Sequence, residues 1–346
     1  MVLLRLQREI KMRVVLQGYN TCCQNKAGGV RERIKKIYTL LNNELENVEL
    51  FNTFSTELQQ GDILHVFRLD SENTGLIECA KQRGAKVVIS TIINLEDGWK
   101  IDFYRRIINK FPIMTTYKLM FKSLRLADSV IVETFAEKTY IQKHYRIPAS
   151  KINVIPNGID PIAEYGEEIY EFIGGKKKYV LQVGRFDNNK NQLNVIKAMK
   201  NTNIDIVFIG GPDHNNESYY KECIELAEDC DNIHFLGWQT DKKLIASAYG
   251  NADTFVLPSF HETFGLVLLE AGVSGAKLAI SNTLPILEFD SFNACNTFDP
   301  NSSEKIREAI MKTYKSEKDT VLKDKILQQF SWTNVIKLHL DLYSQL

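Results

Sequence analysis

Pro258–Gly275 reads PSFHETFGLVLLEAGVSG, and it follows an apolar run, Thr254-Phe-Val-Leu257, that has the length and composition of a buried strand. Pro258 and Ser259 end that strand, and a polar turn carries His261 and Glu262. Phe264-Gly-Leu-Val-Leu-Leu-Glu270-Ala then starts a helix, apolar on most faces and therefore buried. A strand that runs through a loop into a buried helix presents backbone N–H groups at the helix N-terminus, a ready site for phosphate. Two carboxylates bracket that terminus, Glu262 just before it and Glu270 about two turns in. At ~1.5 Å per residue their separation is roughly 12 Å if the segment is helical, so they serve different atoms of one elongated ligand. Carboxylates that share one glycosidic bond with retention sit about 5–5.5 Å apart, and that arrangement is excluded.

The same strand–loop–helix unit recurs upstream and downstream. Lys178-Tyr-Val-Leu-Gln-Val-Gly184 is a buried strand, followed by Arg185-Phe-Asp-Asn-Asn-Lys190 and a helix through Lys200. This puts two cations at a strand's carboxyl edge, where α/β sheets bind ligands. Arginine offers a bidentate fork to phosphate, and lysine a mobile point charge. Asp205–Gly211 and Asn232–Trp238 are further strands, the first leaving through a Gly pair, and Lys277–Ser281 is another.

In the first half, Met12–Gly18 is a short buried strand leading through a polar loop to Gly28-Gly29-Val30 and a helix from about Arg31 to Asn42. Glycine lets backbone approach an anion closely, but the spacing is not G-x-G-x-x-G, which argues against an ordinary nicotinamide enzyme. Asp62–Phe67, Lys86–Thr91, Ala127–Val132 and a strand from Lys151 follow, alternating with helices. That order implies parallel pairing with helices on both faces, a doubly wound α/β architecture. His65 lies within a strand, where a histidine is either a core residue or a ligand contact. From Trp99 to Arg125 basic residues interleave with aromatics, and Asp102 is the one acid. Such a segment suits an anionic lipid surface, or a solvated helical face with its aromatics turned inward; no nucleic-acid-binding module is recognisable in it.

The chain has 346 residues, which points to two domains. With 44% hydrophobic and 25% charged residues it has the composition of a soluble globular protein. Net charge is zero, but residues 1–160 hold 24 Lys+Arg against 17 Asp+Glu, and residues 161–346 hold 19 against 26. The first half is therefore expected to face something anionic. Six cysteines at 22, 23, 79, 223, 230 and 295 show no metal-type spacing and read as reduced thiols of a cytoplasmic protein. No run approaches the ~18 apolar residues of a membrane span, and Val2-Leu-Leu4 is too short for a signal peptide.

Glu262-x7-Glu270 with Phe264-Gly265-Leu266 between, after a strand ending in Pro-Ser, resembles the donor-site motif of family 4 glycosyltransferases of the glycosyltransferase-B fold. Pro156-Asn-Gly-Ile-Asp160, the stretch that closes the first domain in that family, is complete, and Phe330-Ser-Trp332 looks like the entry to its last helix. The resemblance is dense from Ile152 to Trp332 and loose before it. It implies two Rossmann-like domains facing across a cleft: residues 1–163 on the acceptor side, residues 164–330 binding the nucleotide sugar, and residues 331–346 packing back on the first. By the same resemblance Glu270 holds the ribose, Glu262 lies near the donor sugar, and backbone of Phe264, Gly265 and Leu266 meets the phosphates. Gly184, Arg185 and Lys190 grip the diphosphate, Gly28 and Gly29 lie against the donor, and backbone at Leu236 meets the nucleobase. Arg185, Lys190 and Glu262 are the implied catalytic residues. Many members carry a histidine just after the strand equivalent to Val87–Thr91; here Ile92 and Ile93 stand there, and His65 is the histidine placed to contact acceptor or sugar instead.

The implied reaction is transfer of a sugar, with retention, from a nucleoside diphosphate sugar to a hydroxyl of a glycan or lipid-linked acceptor. Polysaccharide, lipopolysaccharide or glycolipid assembly is the implied setting, with the protein peripheral at the inner membrane face through residues 99–125. No Asp-x-Asp is placed to carry a divalent ion, so no metal and no cofactor are expected. Two other readings share the donor motif: a sugar-nucleotide 2-epimerase, which needs acid/base carboxylates in the first domain, and a partner subunit that binds donor without turnover. Base, sugar, acceptor and oligomeric state leave no mark in the sequence.

Overall fold

The computed structural model describes residues 12–18, 29–93, 95, 107, 111–161, 164–318 and 320–346. The chain divides into two compact units, Met1–Pro156 with Val335–Leu346, and Asn157–Asn334. Each is built on a six-stranded parallel sheet in an α/β arrangement.

The first sheet holds β1 (Arg13–Gln17), β2 (Asn47–Leu50), β3 (Ile63–Phe67), β4 (Lys86–Ser90), β5 (Ser129–Val132) and β6 (Ile152–Val154), in the order β2-β1-β3-β4-β5-β6. The central strands are buried on both faces, as parallel strands must be when helices cover them. Side chains alternate between faces. Val15, Leu64, Val66, Val87, Ile89, Val130 and Val132 belong to one apolar layer. The opposite face of β3 carries His65, whose ring meets His339 and Tyr343 from the helix Trp332–Ser344.

The second sheet holds β7 (Tyr179–Val183), β8 (Asp205–Ile209), β9 (Ile233–Phe235), β10 (Thr254–Leu257), β11 (Lys277–Ser281) and β12 (Asn296–Phe298), in the order β12-β11-β10-β7-β8-β9. Tyr179, Leu181, Val207, Ile209, Phe255 and Leu257 enter one core, and Val180, Ile206, Phe208 and Val256 enter the other. That two-residue alternation packs helices on both faces of the sheet.

Several expectations need adjustment. The edge strands β2 and β12 are three or four residues long and carry too few apolar side chains to announce themselves. The polar, acidic stretch from Pro161 to about Lys178 reads in the sequence as a linker, but a helix at Ile169–Phe172 lies within it, and Ile169 and Ile173 are in the core of the second unit. The strand from Lys151 stops at Val154, and Ile159 then pairs with Ser331. Gly158 is required at that crossing, since a Cβ there would lie 2.3 Å from Trp332 Cδ2.

Candidate functional site

In the second sheet β7 and β10 are neighbours, but the chain leaves β7 toward β8 and β10 toward β11. Strand order reverses between them, and in open α/β sheets the ligand crevice forms at the carboxyl ends of the two strands where that happens. The β7 exit carries Gly184, Arg185 and Lys190, and the β10 exit carries the whole stretch Pro258–Leu266. Topology thus brings the two sequence signals together.

The two exits are laced to each other. Asn189 Nδ2 donates to His261 O at 2.8 Å, its Oδ1 accepts from His261 N–H at 2.9 Å, and its carbonyl accepts from Phe260 N–H at 2.9 Å. Asn191, left-handed at φ 59°, donates to Pro258 O and Pro300 O. Asparagine tolerates that conformation better than most residues. Gly210 at φ 131° is needed beneath the β7 exit, because a Cβ there would lie 2.0 Å from Gly184 O. A Cβ on Gly184 would meet Lys190 Cδ at 3.6 Å, so the lysine stem lies over that glycine.

Arg185 is half exposed and already held. Its Nε donates to Asp187 Oδ2 at 2.9 Å, and Nη2 and Nη1 form ion pairs with Asp187 Oδ2 at 2.9 Å and Asp213 Oδ2 at 3.1 Å. The guanidinium keeps N–H groups beyond that hydrogen bond for an incoming anion. The Asn216 amide holds the Asp213 carboxyl below its usual value against the cost of desolvation, with the Asn215 N–H, Arg185 and His214 adding to it. Lys190 Nζ forms a close ion pair with Glu262 Oε1, both side chains being mostly enclosed. Glu262 is therefore the counter-ion of Lys190, an assignment that spacing in the sequence does not reveal.

Glu262 and Glu270 do not share one helix. The helix is Leu266–Val273, four residues past Glu262, and it opens from Gly265 at φ 93° with no side-chain cap. Phe264 is buried and sets its ring edge-on to Phe289 and Phe330, which anchors the turn. Glu270 Oε2 accepts from Tyr249 O–H at 2.7 Å. Burial raises the Glu270 carboxyl above its ordinary value, and the tyrosine hydrogen bond pulls it partly back. Its second oxygen has no protein partner and is not sealed from solvent.

The remaining residues belong to other elements. Leu236 is one residue past β9, its N–H bonded to Phe208 O and its carbonyl accepting from Gln239 Nε2. Gly29 is the first residue of the helix Gly29–Glu44, and Gly28 lies outside the described residues. His65 is fully buried, Nδ1 against Tyr343 O–H at 2.6 Å and Nε2 against Ser90 Oγ at 2.8 Å. Burial, then His339 and Arg33, hold it neutral, well below the usual histidine range. The contact expected of His65 with acceptor or sugar is corrected on those grounds, since both ring nitrogens are used inside the core. Residues 99–106 and 108–110 also lie outside the described residues. Beyond them Phe111, Ile113 and Met114 are exposed, whereas Tyr117 and Phe121 pack on the core.

The sequence reading passed over Asp187, Asn189, Asn191, Asp213 and Tyr249, whose polar side chains act only once strand exits are brought together. It also passed over a buried cluster in the first unit. Glu137 accepts from Thr91 Oγ1 at 2.5 Å, Ile93 N–H at 3.4 Å and Glu133 N–H at 2.7 Å, and Glu133 pairs with Arg33. Ile92, between two of those donors, has φ 44°, a strained value for a β-branched residue. Thr134-x-x-Glu137 is a capping-box pattern and was the one signal available.

Comparison with known proteins agrees with this fold. Residues 169–326 match the family model described as glycosyl transferases group 1, and residues 4–162 match glycosyltransferase family 4. The lipopolysaccharide glucosyltransferase WaaG of Escherichia coli K12 is 26% identical over 207 residues, 55% of this chain and 52% of that protein. The UDP-Gal:alpha-D-GlcNAc-diphosphoundecaprenol alpha-1,3-galactosyltransferase of Escherichia coli is 28% identical over 259 residues, 67% of this chain and 62% of that one. The chain thus spans about half the length of the curated relatives it matches. Among solved structures, Anabaena Alr3699/HepE in complex with UDP superposes with a TM-score of 0.72 at 16% identity, covering 97% of this chain and 100% of that one. The fold is that of the glycosyltransferase-B class. The chain belongs to the family 4, group 1 glycosyltransferases.

Proposed function

We propose that the protein transfers a sugar, with retention of anomeric configuration, from a nucleoside diphosphate sugar to a hydroxyl of a glycan or lipid-linked acceptor. The observation that carries this reading is the joining of the β7 and β10 exits at the point where strand order reverses. Two cations follow β7 there, one of them paired with Glu262, and an uncapped helix start follows β10. The half-exposed Arg185 guanidinium and the two N–H groups of Lys190 beyond its Glu262 contact meet the diphosphate and hold its growing charge as it leaves. The open oxygen of Glu270, fixed by Tyr249, takes the ribose hydroxyls. The C1–O bond to phosphate breaks, the acceptor oxygen bonds C1 on the same face, and the acceptor proton passes to the departing phosphate. Glu262 stands beside the reacting sugar and releases Lys190 toward the phosphate as the donor enters. The reading calls for no cofactor and no metal, so a chelator is expected to leave turnover unchanged. Relatives named for lipopolysaccharide and diphosphoundecaprenol substrates support an acceptor of that class. A working place on the cytoplasmic face of a membrane is part of the same proposal.

A panel of labelled donors tests the reading. Slow release of nucleoside diphosphate with free sugar is expected for one donor. A new epimer, or tight binding with neither product, rejects transfer. Arg185→Ala is expected to weaken binding of that donor by roughly 10- to 100-fold, from the loss of charge-assisted hydrogen bonds. Glu262→Gln removes the carboxylate that competes for Lys190, so nucleoside diphosphate binds more tightly while kcat falls. Unchanged donor affinity in both Arg185→Ala and Glu270→Ala sinks the assignment.

A further inference from the structure

Trp238, in the second unit, is an aromatic residue that is fixed and exposed at once. It follows β9 at the carboxyl edge of the sheet and is 60% exposed. Its indole Nε1–H donates to Pro212 O at 3.1 Å. The ring lies against Gly211, where a Cβ would come within 2.7 Å of both Cδ1 and Nε1. Only a residue without a side chain lets the indole lie that close to the backbone. An exposed tryptophan normally costs free energy through its hydrated apolar face, and nothing in the core explains why this one is held outward.

Its position relative to the cations supplies a reason. Gly211 O accepts from Phe186 N–H at 2.9 Å, and Phe186 pairs with Pro212. The next residue, Asp213, holds Arg185 Nη1. The indole and the guanidinium are thus mounted on the same three-residue turn, Gly211-Pro212-Asp213. Gly210 N–H donates to Gly237 O at 2.9 Å and ties that turn to the β9 exit. A flat π-face beside an anion-binding guanidinium is the pairing that a nucleotide presents in reverse, a flat base beside a charged phosphate.

We infer that Trp238 is a stacking platform for the nucleobase of the donor and sets how strongly each base is held. The inference rests on the donor reading above and adds a residue to it. Stacking is indifferent to the hydrogen-bonding edge of the base, so this platform supplies affinity while backbone groups nearby supply the choice of base.

The experiment measures dissociation constants of the whole protein for UDP, GDP, ADP and inorganic pyrophosphate, in the wild type, Trp238→Ala and Trp238→Phe. For whichever nucleotide binds, Trp238→Ala is expected to weaken it roughly 5- to 150-fold, the range that loss of one base–aromatic stack gives. Trp238→Phe is expected to restore most of the loss, and pyrophosphate, which meets only the cations, is expected to bind all three proteins alike. Indole fluorescence supplies a second readout: nucleotide quenches the wild type, and Trp238→Phe abolishes most of that quenching. The platform is rejected if Trp238→Ala leaves nucleotide affinity unchanged, or lowers affinity for pyrophosphate by the same factor. If the wild type binds no nucleoside diphosphate, the donor reading itself fails, and the two failures are told apart.

Discussion

At the scale of single residues, the first unit holds an ionisable group whose environment can be read as a pH dependence. Burial, and then the neighbouring Glu133, push the Glu137 carboxyl up to about 7, while the Thr91 hydroxyl and the N–H groups of Glu133 and Ile93 pull it partly back. Its ordinary value is 4.5, so between that pH and about 7 the folded protein binds more protons than the unfolded chain. Stability is then greatest at the acid end of this window and falls as pH rises through it, by at most about 1.4 kcal/mol per pH unit. Glu137→Gln is expected to flatten that slope, as followed by urea unfolding midpoints across the window. A slope unchanged in the variant assigns the dependence elsewhere. The same cluster shows why part of the molecule was hidden from the sequence. Arg33, Thr91, Glu133 and Glu137 are spread over more than a hundred positions, and nothing in any one of them announces the others. Arg185 and Lys190 were legible because five residues and a strand end separate them, a local geometry that a one-dimensional pattern can carry. Glu262 was legible as a site residue but not as the partner of Lys190, which requires β7 and β10 to be neighbours.

Among the elements, the strands with four or five consecutive apolar residues declared themselves, because burial on both faces leaves no polar alternation to confuse the reading. The edge strands β2 and β12 did not, having one covered side and few residues. The segment from Phe111 to Arg125 shows a mixed outcome. Residues 99–125 were expected either to meet lipid or to turn their aromatics inward; the inward turn holds for part of the described stretch, and contact with lipid stays an expectation. Tyr117 and Phe121 from the helix Thr116–Leu126 enter the core, while Phe111, Ile113 and Met114 just before that helix stay exposed. If this edge meets an anionic bilayer, replacing those three residues with serine is expected to lower sedimentation with phosphatidylglycerol vesicles at least several-fold, with the far-ultraviolet spectrum unchanged. Raising the salt is expected to weaken the wild-type interaction as well, since charges beyond a Debye length of about 8–10 Å are screened. Equal vesicle binding by both proteins removes this edge from consideration.

For the whole molecule, the doubly wound class was legible from the repeated alternation of strand and helix, and the strand order was not. The reversal between β7 and β10 arises from long-range pairing, and it makes the loops at residues 184–190 and 258–266 one site. The other global feature is that the first unit is discontinuous, being completed by Val335–Leu346. Those last residues bring Tyr343 to His65 and bury His339. A chain ending at Asn334 is expected to keep slow amide exchange through Tyr179–Ser281 and to lose it through β1, β3 and β4, because His65 and the adjoining face of the sheet are left uncovered. Equal protection in both units overturns that expectation. The discontinuity also orders events during synthesis. Domains are usually thought of as maturing in the order in which they emerge, but here the unit that is translated first cannot close until residues 335–346 have cleared the ribosome. The second unit, Asn157–Asn334, needs none of those residues, so it is the half that emerges first that waits with an open flank.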